Sequence, residues 1–394
     1  MIMNIRIPSL LKIGGGSFSE VSSLLLDLRC RRPLIVTDPF MMNAGLAERL
    51  HTQIREAGLP SAIFSDTVPD PTSATVEHGV RVFVAGDHDS LVSLGGGSPI
   101  DTAKAIGMLA NNGGKVSDYK SPNAPRLAGP THLAIPTTAG TGSEATRFTV
   151  ITDVETEEKM LIAGDVLLPT AAIVDYELTL TMPARLTADT GTDSLTHSIE
   201  AFVSRRANPF ADALALSAMR TIWTELPICF HEPENRKARE AMMMAATQAG
   251  IAFSNASVAL VHGMSRPLGV HFHVPHGLSN AMLLPAVTAF STSAASERYA
   301  ICARTIGVAP AGANDDVAVA ALIRGLYERN AELRVPSPRE FGIEKERYFA
   351  LIPTMTAQAL ASGSPHNNPR IPTVDEIGAI YREVWEWSSR AIDH

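Results

Sequence analysis

Near residue 183 the hydrophobic pattern of this chain changes period. Before that point, short runs rich in β-branched residues alternate with helical stretches. The runs are "PLIVTD" at 33–38, "SAIFSD" at 61–66, "DSLVSLGGGS" at 89–98, "HLAIPTT" at 132–138 and "AAIVDY" at 171–176. After it, long stretches such as "NPFADALALSAMRTIWTEL" and "NRKAREAMMMAATQAGIAF" repeat their apolar residues at helical spacing. Strand–helix alternation predicts an α/β domain with a largely parallel sheet, and the second texture predicts an all-α domain. The expected domains are 1–182 and 183–394. The stretch "TVDEIGAIYREVWEWSSRAI" reads as a last helix, with Thr373 and Glu376 in a capping-box pattern.

Composition narrows the function classes. The chain is 45% apolar and 19% charged, which is globular rather than disordered. A net charge of −8 argues against nucleic-acid binding, which needs a basic surface. Its three cysteines are widely spaced and form neither a disulfide framework nor a thiolate zinc site, which points to a reducing cytoplasm. No apolar run approaches the ~20 residues of a membrane span, and the start "MIMNIRIPSLLKIGGG" does not read as a secretory signal.

Two glycine clusters stand before helices. "KIGGGSFSEVSSLL" at 12–25 follows a weak strand and reads as a turn. "LVSLGGGSPIDTAKAIG" at 91–107 follows a strong one. Glycines let a backbone approach a phosphate, and a helix N-terminus supplies unpaired N–H groups, so this second cluster reads either as a phosphate loop or as a tight turn. Asp38 ends the "PLIVTD" strand, where a carboxylate either accepts adenosine ribose hydroxyls and disfavours NADP, or caps the next helix. "PTTAGTGSEAT" at 136–146 either wraps a ribose or nicotinamide or is a polar loop.

"TGTDSLTHSIEAF" places Asp193 and His197 at i and i+4, on one helix face, with Thr187 as the expected N-cap. Alone, such a pair is more often a surface hydrogen bond. The stretch "VHGMSRPLGVHFHVPHG" at 261–277 adds four of the chain's 12 histidines. His262 follows a helical run and His276 precedes another. With Asp193 and His197 they would complete an Asp–His–His–His set, and nitrogen and oxygen donors without thiolate suit Fe²⁺ or Zn²⁺.

The sequence resembles the iron-containing (group III) alcohol dehydrogenase family, its lactaldehyde reductase-type members included. The likeness runs in order through "GGGSPIDTAKAIG", "IPTTAGTGSEAT", "TGTDSLTHSIEAF", "AGIAFSNAS", "LVHGMSRPLG", "PHGLSNAMLLP" and "NNPR". It implies a dehydroquinate synthase-like architecture, with an α/β nucleotide-binding domain followed by an all-helical metal- and substrate-binding domain. The implied metal ligands are Asp193, His197, His262 and His276. Gly96, Gly97 and Ser98 are expected at the NAD pyrophosphate and Asp38 at its ribose, with Asp70 near the adenine. Thr137, Thr138, Thr141, Ser143, Lys159 and Leu178 are expected around the cofactor. Asp101 is expected either beside the cofactor or capping its helix. The implied reaction is reversible hydride transfer between an alcohol and NAD, with a small alcohol or aldehyde as substrate. A homo-oligomer, dimer or larger, is also implied. Polyol oxidation of the glycerol dehydrogenase kind and a dehydroquinate synthase-like lyase compete with this reading. The lyase needs a basic pocket, for which Arg147, Arg266 and Arg370 are the candidates.

The chain departs from the family pattern at Arg266, where many relatives carry histidine. Arginine stays protonated near neutral pH, so no proton-relay role carries over. Arg266 reads either as a salt bridge or cofactor contact, or as a clamp for an acid group on the substrate. Phe148 and Phe253 read either as substrate-pocket residues or as core aromatics. His271 and His273 do not fall at ligand positions.

Overall fold

A computed structural model describes residues 2–156 and 158–387 of the chain. Two compact units divide between Thr181 and Met182.

The first unit holds a six-stranded parallel sheet, ordered β1-β8-β5-β4-β2-β3. Its strands are β1 (Leu10–Ile13), β2 (Pro33–Val36), β3 (Ala62–Phe64), β4 (Ser90–Gly95), β5 (Thr131–Pro136) and β8 (Ala171–Val174). The remaining two, β6 (Phe148–Thr152) and β7 (Lys159–Ala163), form an antiparallel hairpin. β2, β4 and β8 are buried along their whole length, which explains why they read as unbroken apolar runs: helices cover both faces of the sheet.

Alternate side chains feed the two faces. Ile35, Val92, Leu133 and Ile173 pack with α1 (Val21–Asp27), the short α2 (Pro39–Asn43) and α3 (Leu46–Glu56). Leu34, Val36 and Leu91 pack with α4 (Ser73–Ala85) and α5 (Gly97–Asn112). The connection leaving β2 therefore runs over one face and the connection leaving β4 over the other. Their carboxyl ends flank a topological switch point, the place where doubly wound sheets bind ligands. The first glycine cluster is a turn, as expected, and β1 pairs in register with β8 at the sheet's edge.

The second unit is helical throughout. Its helices are α6 (Ala184–Val203), α7 (Pro209–His231), α8 (Arg236–Asn255), α9 (Leu260–Phe272), α10 (His276–Ser291), α11 (Ser296–Ile306), α12 (Asp315–Glu332), α13 (Lys345–Ala361) and α14 (Val374–Glu386). α6 is buried on every side from Thr187 onward apart from Thr190. α14 carries the expected capping box between Thr373 and Glu376, and the end of the expected last helix, beyond residue 387, lies outside the described residues. Thr187 is not an N-cap. α6 starts three residues earlier, at Ala184 after Pro183, and Thr187 Oγ1 instead accepts a bond from the buried Arg239. Among the described residues no single helix is long and apolar enough to cross a membrane.

Candidate functional site

Three helices of the second unit bring the expected metal ligands together. α6 carries Asp193 and His197, α9 carries His262, and His276 is the first residue of α10. Gly277 makes this approach possible: a Cβ there would stand 2.3 Å from the Asp189 carbonyl oxygen of α6. Asp193 Oδ1 lies 3.4 Å from His262 Nε2, 3.7 Å from His197 Nε2 and 3.8 Å from His276 Nε2. Donor atoms of Asp193, His262 and His276 all fall within 4.8 Å of one another. His197 stands at the margin of this set, its ring stacked on His262 at 4.6 Å and on Phe253 at 4.2 Å.

Two residues that sequence reasoning missed complete the cluster. Glu200 is buried on α6. Its carboxylate accepts Ala259 N at 2.9 Å and Val261 N at 2.6 Å, so one helix caps the N-terminus of another. The same carboxylate lies 2.6 Å from His262 Nδ1, which places the Nδ1 proton toward Glu200 and turns Nε2 toward Asp193. Asn280, buried on α10, donates from Nδ2 to Asp193 Oδ1 at 2.6 Å and stands 3.2 Å from His262 Nε2 and 3.3 Å from His276 Nε2. The spacings held a signal: Glu200 lies seven residues after Asp193, and Asn280 four after His276, each on the face of its ligand.

The charges reinforce one another. Burial works against the Asp193 carboxylate, but His197, His276 and His262 outweigh it and hold the group well below the usual carboxylate range. Burial also works against an imidazolium at His262, yet Glu200 and Asp193 raise its pKa to about 9. A cation at Nε2 would displace that proton, so binding there is coupled to proton release. The donor set fits a divalent metal: one hard anionic oxygen and imidazole nitrogens, with no thiolate, converge within 4.8 Å.

In the first unit the second glycine cluster joins β4 to α5 at the switch point. Gly95 takes φ +147°, a value that side chains disfavour. Thr37 Oγ1 bonds the Leu94 carbonyl, tying the ends of β2 and β4 together. Asp38 does cap α2, accepting Met41 N at Oδ1, while Oδ2 has no protein partner among the described residues and faces Gly95. Thr138 and Thr141 lie over Gly96 and Gly97, where a Cβ on Gly97 would stand 3.0 Å from Thr141 Cγ2. Thr138 Oγ1 is buried without a partner among the described residues. An open glycine cradle, helix N-terminal amides beside Ser98 and an orphaned hydroxyl fit a bound pyrophosphate.

The other expected cofactor residues surround this loop unequally. Thr137 is buried and bonds the Gly95 carbonyl. Ser143 Oγ donates to Asp101 Oδ1. Asp101 does not cap α5: it lies inside the helix, and its other oxygen accepts Val150 N of β6 at 2.9 Å. Lys159 donates to Asp70 at 2.7 Å, and Leu178 is packed in the core. Lys104 was missed by the sequence reading. Its buried ammonium donates to Thr146 O, Thr146 Oγ1 and Phe148 O, pinning the 143–148 segment to α5. Phe148 is half-buried at the start of β6.

His271 bonds Gln358, and His273 is the left-handed C-cap of α9, so neither joins the donor cluster. Of the basic candidates for a lyase pocket, Arg147 pairs with Asp165 and Arg370 with Glu376.

Known proteins resemble this chain along almost its whole length. Residues 8–176 match the family model described as iron-containing alcohol dehydrogenase, and residues 187–385 match the C-terminal model of the same family. An NAD-dependent methanol dehydrogenase of Bacillus methanolicus is 40% identical over 382 residues, covering 97% of this chain and 99% of that protein. A solved 1,3-propanediol oxidoreductase superposes with a TM-score of 0.93 at 34% identity, covering 98% of this chain and all of that one. A sulfoacetaldehyde reductase from Bifidobacterium kashiwanohense, solved with NAD⁺, gives a TM-score of 0.87 at 28% identity, covering 98% and 99%.

Proposed function

Because the chain belongs to the iron-containing alcohol dehydrogenase family, whose reaction is hydride transfer between an alcohol and NAD, we propose that Asp193, His197, His262 and His276 hold its catalytic divalent metal, Fe²⁺ in preference to Zn²⁺. One observation carries this reading: donor atoms from three different helices converge within 4.8 Å. Bound there, the metal would supply Lewis acidity to a substrate oxygen, and the nicotinamide cofactor would supply the redox chemistry.

The protein's own groups do the positioning. Glu200 fixes the His262 tautomer, and Asn280 orients Asp193. Gly96, Gly97 and Ser98, with the hydroxyls of Thr138 and Thr141, receive the pyrophosphate. The uncommitted Oδ2 of Asp38 receives the ribose hydroxyls and disfavours a 2′-phosphate. Thr137, Ser143, Asp101, Lys159, Asp70 and Leu178 shape the surroundings of the nucleotide. Phe253, stacked on His197, lines the substrate site.

The substrate is a small aldehyde or ketone and its alcohol. Relatives named for methanol, 1,3-propanediol and sulfoacetaldehyde differ too widely for family membership to choose among them. We place the enzyme in the cytoplasm, on the strength of three buried free thiols, and expect a homo-oligomer.

The test is NADH oxidation by metal-stripped protein refilled with Fe²⁺ or Zn²⁺, over a panel of neutral and acidic aldehydes. Metal-dependent NADH consumption is expected. No consumption by any metal form on any aldehyde would overturn the reading.

A further inference from the structure

We propose that Arg266 is an anion-binding element of the substrate site, so that the preferred carbonyl substrate carries a carboxylate, sulfonate or phosphonate group. This rests on the dehydrogenase reading above and adds the substrate class to it.

Arg266 lies four residues after His262 on α9, hence on the same helix face one turn further along. Its only hydrogen bond among the described residues runs from Nη1 to Ser364 Oγ, at a long 3.3 Å. Ser364 is held there by the close seating of its segment on α9, where a Cβ on Gly263 would stand 2.9 Å from the Pro365 ring. Among the described residues no carboxylate pairs with Arg266, and none supplies an acceptor to its Nε or Nη2.

Other arginines of this unit are provided for. Arg298 pairs with Asp212, Arg304 with Asp315, and the buried Arg239 has three oxygen acceptors. Glu200 is close enough to act on Arg266 electrostatically, but its two oxygens already take Ala259 N, Val261 N and His262 Nδ1. Burial lowers the Arg266 pKa only to about 10, so the guanidinium keeps its charge at neutral pH. A half-buried charge with no carboxylate paired to it directly among the described residues is costly, and the planar fork it leaves open matches an oxyanion in two-point geometry.

Two isosteric pairs test this on the holoenzyme. Sulfoacetaldehyde is compared with 3,3-dimethylbutanal, and succinic semialdehyde with 4-methylpentanal, each with NADH. The wild type is expected to favour at least one anionic member in kcat/KM. In Arg266→Gln the anionic-to-neutral ratio for that pair should fall roughly 10- to 100-fold, the worth of a charge-assisted hydrogen bond, whatever factor both members lose together. Arg266→Lys should fall between the two. As an equilibrium readout, 2-hydroxyethanesulfonate should raise the melting temperature of the NAD-loaded wild type more than that of Arg266→Gln.

An unchanged ratio in both pairs, or a loss confined to NADH affinity, overturns the proposal and makes Arg266 a cofactor contact. If Arg266→Gln does not fold, a wild type that favours the neutral member of both pairs overturns it equally. Failure of the dehydrogenase reading looks different: no NADH is consumed with any of the four aldehydes.

Discussion

Glu200 Oε2 and His262 Nδ1 lie 2.6 Å apart, both side chains buried, and the same carboxylate caps the helix that carries the histidine. Ligand orientation and helix docking are therefore one structural event. Glu200→Gln halves the oxygens available to three donors and sets an N–H₂ against one of them. Metal affinity should fall about 10- to 100-fold, as for other losses of an outer carboxylate partner of a ligating histidine. Chelator competition at fixed pH measures it. An unchanged affinity would reduce Glu200 to a helix cap.

Thr138→Val separates folding from cofactor binding. Its hydroxyl is buried without a described partner, so the metal- and nucleotide-free protein should lose no stability on its removal. NADH should bind more weakly, by the ~0.5–1.5 kcal/mol of one hydrogen bond. Thermal melts with and without NADH show both effects. A lower melting temperature without NADH would mean that the hydroxyl serves the fold.

Lys104→Met strips the hydrogen bond from two carbonyl oxygens that hold the 143–148 segment. Each newly unsatisfied group costs about 1–3 kcal/mol. The urea midpoint should drop and the NADH Kd should rise, because Ser143 lies on that segment and Thr141 just before it. A drop in midpoint with unchanged NADH affinity would unlink that segment from the cofactor.

His132 gives a pH dependence of known sign. Burial, aided by Lys104, pushes its pKa from 6.5 down to about 3, and Ser93 Oγ bonds its Nε2. The unfolded chain binds the proton more readily, so the neutral ring's contribution is full above 6.5 and is lost as pH falls toward 3. Chemical denaturation across this window should show wild-type stability falling more steeply than that of His132→Gln. Parallel slopes would show that His132 does not contribute.

Much of this was legible because it depends on local pattern. Apolar runs bounded by turn residues gave β2, β4, β5 and β8, and the i, i+4 spacing gave Asp193 and His197 a common face. What was missed depends on partners distant in sequence. β6 and β7 are five residues each and become strands only by pairing with each other. Asp101 resembles a cap until Val150 supplies the donor that draws it inward. Thr187 reads as a cap from sequence, but its helix begins three residues earlier, after Pro183 as N-cap. Glu200 and Asn280 sat on faces already recognised, but only the crossing of α6, α9 and α10 gives them donors and acceptors to meet. The likeness to a family placed the two unit textures and the four ligands together, and it left Arg266 outside its pattern.

The central claim is that Asp193, His197, His262 and His276 form one metal site. Its most direct test is the iron and zinc content of anaerobically purified wild type, Asp193→Ala, His262→Ala and His276→Ala after dialysis against a mild chelator. Circular dichroism confirms that each variant is helical. The account predicts stoichiometric metal in the wild type and little in any of the three variants. Undiminished metal in a folded Asp193→Ala protein would contradict it.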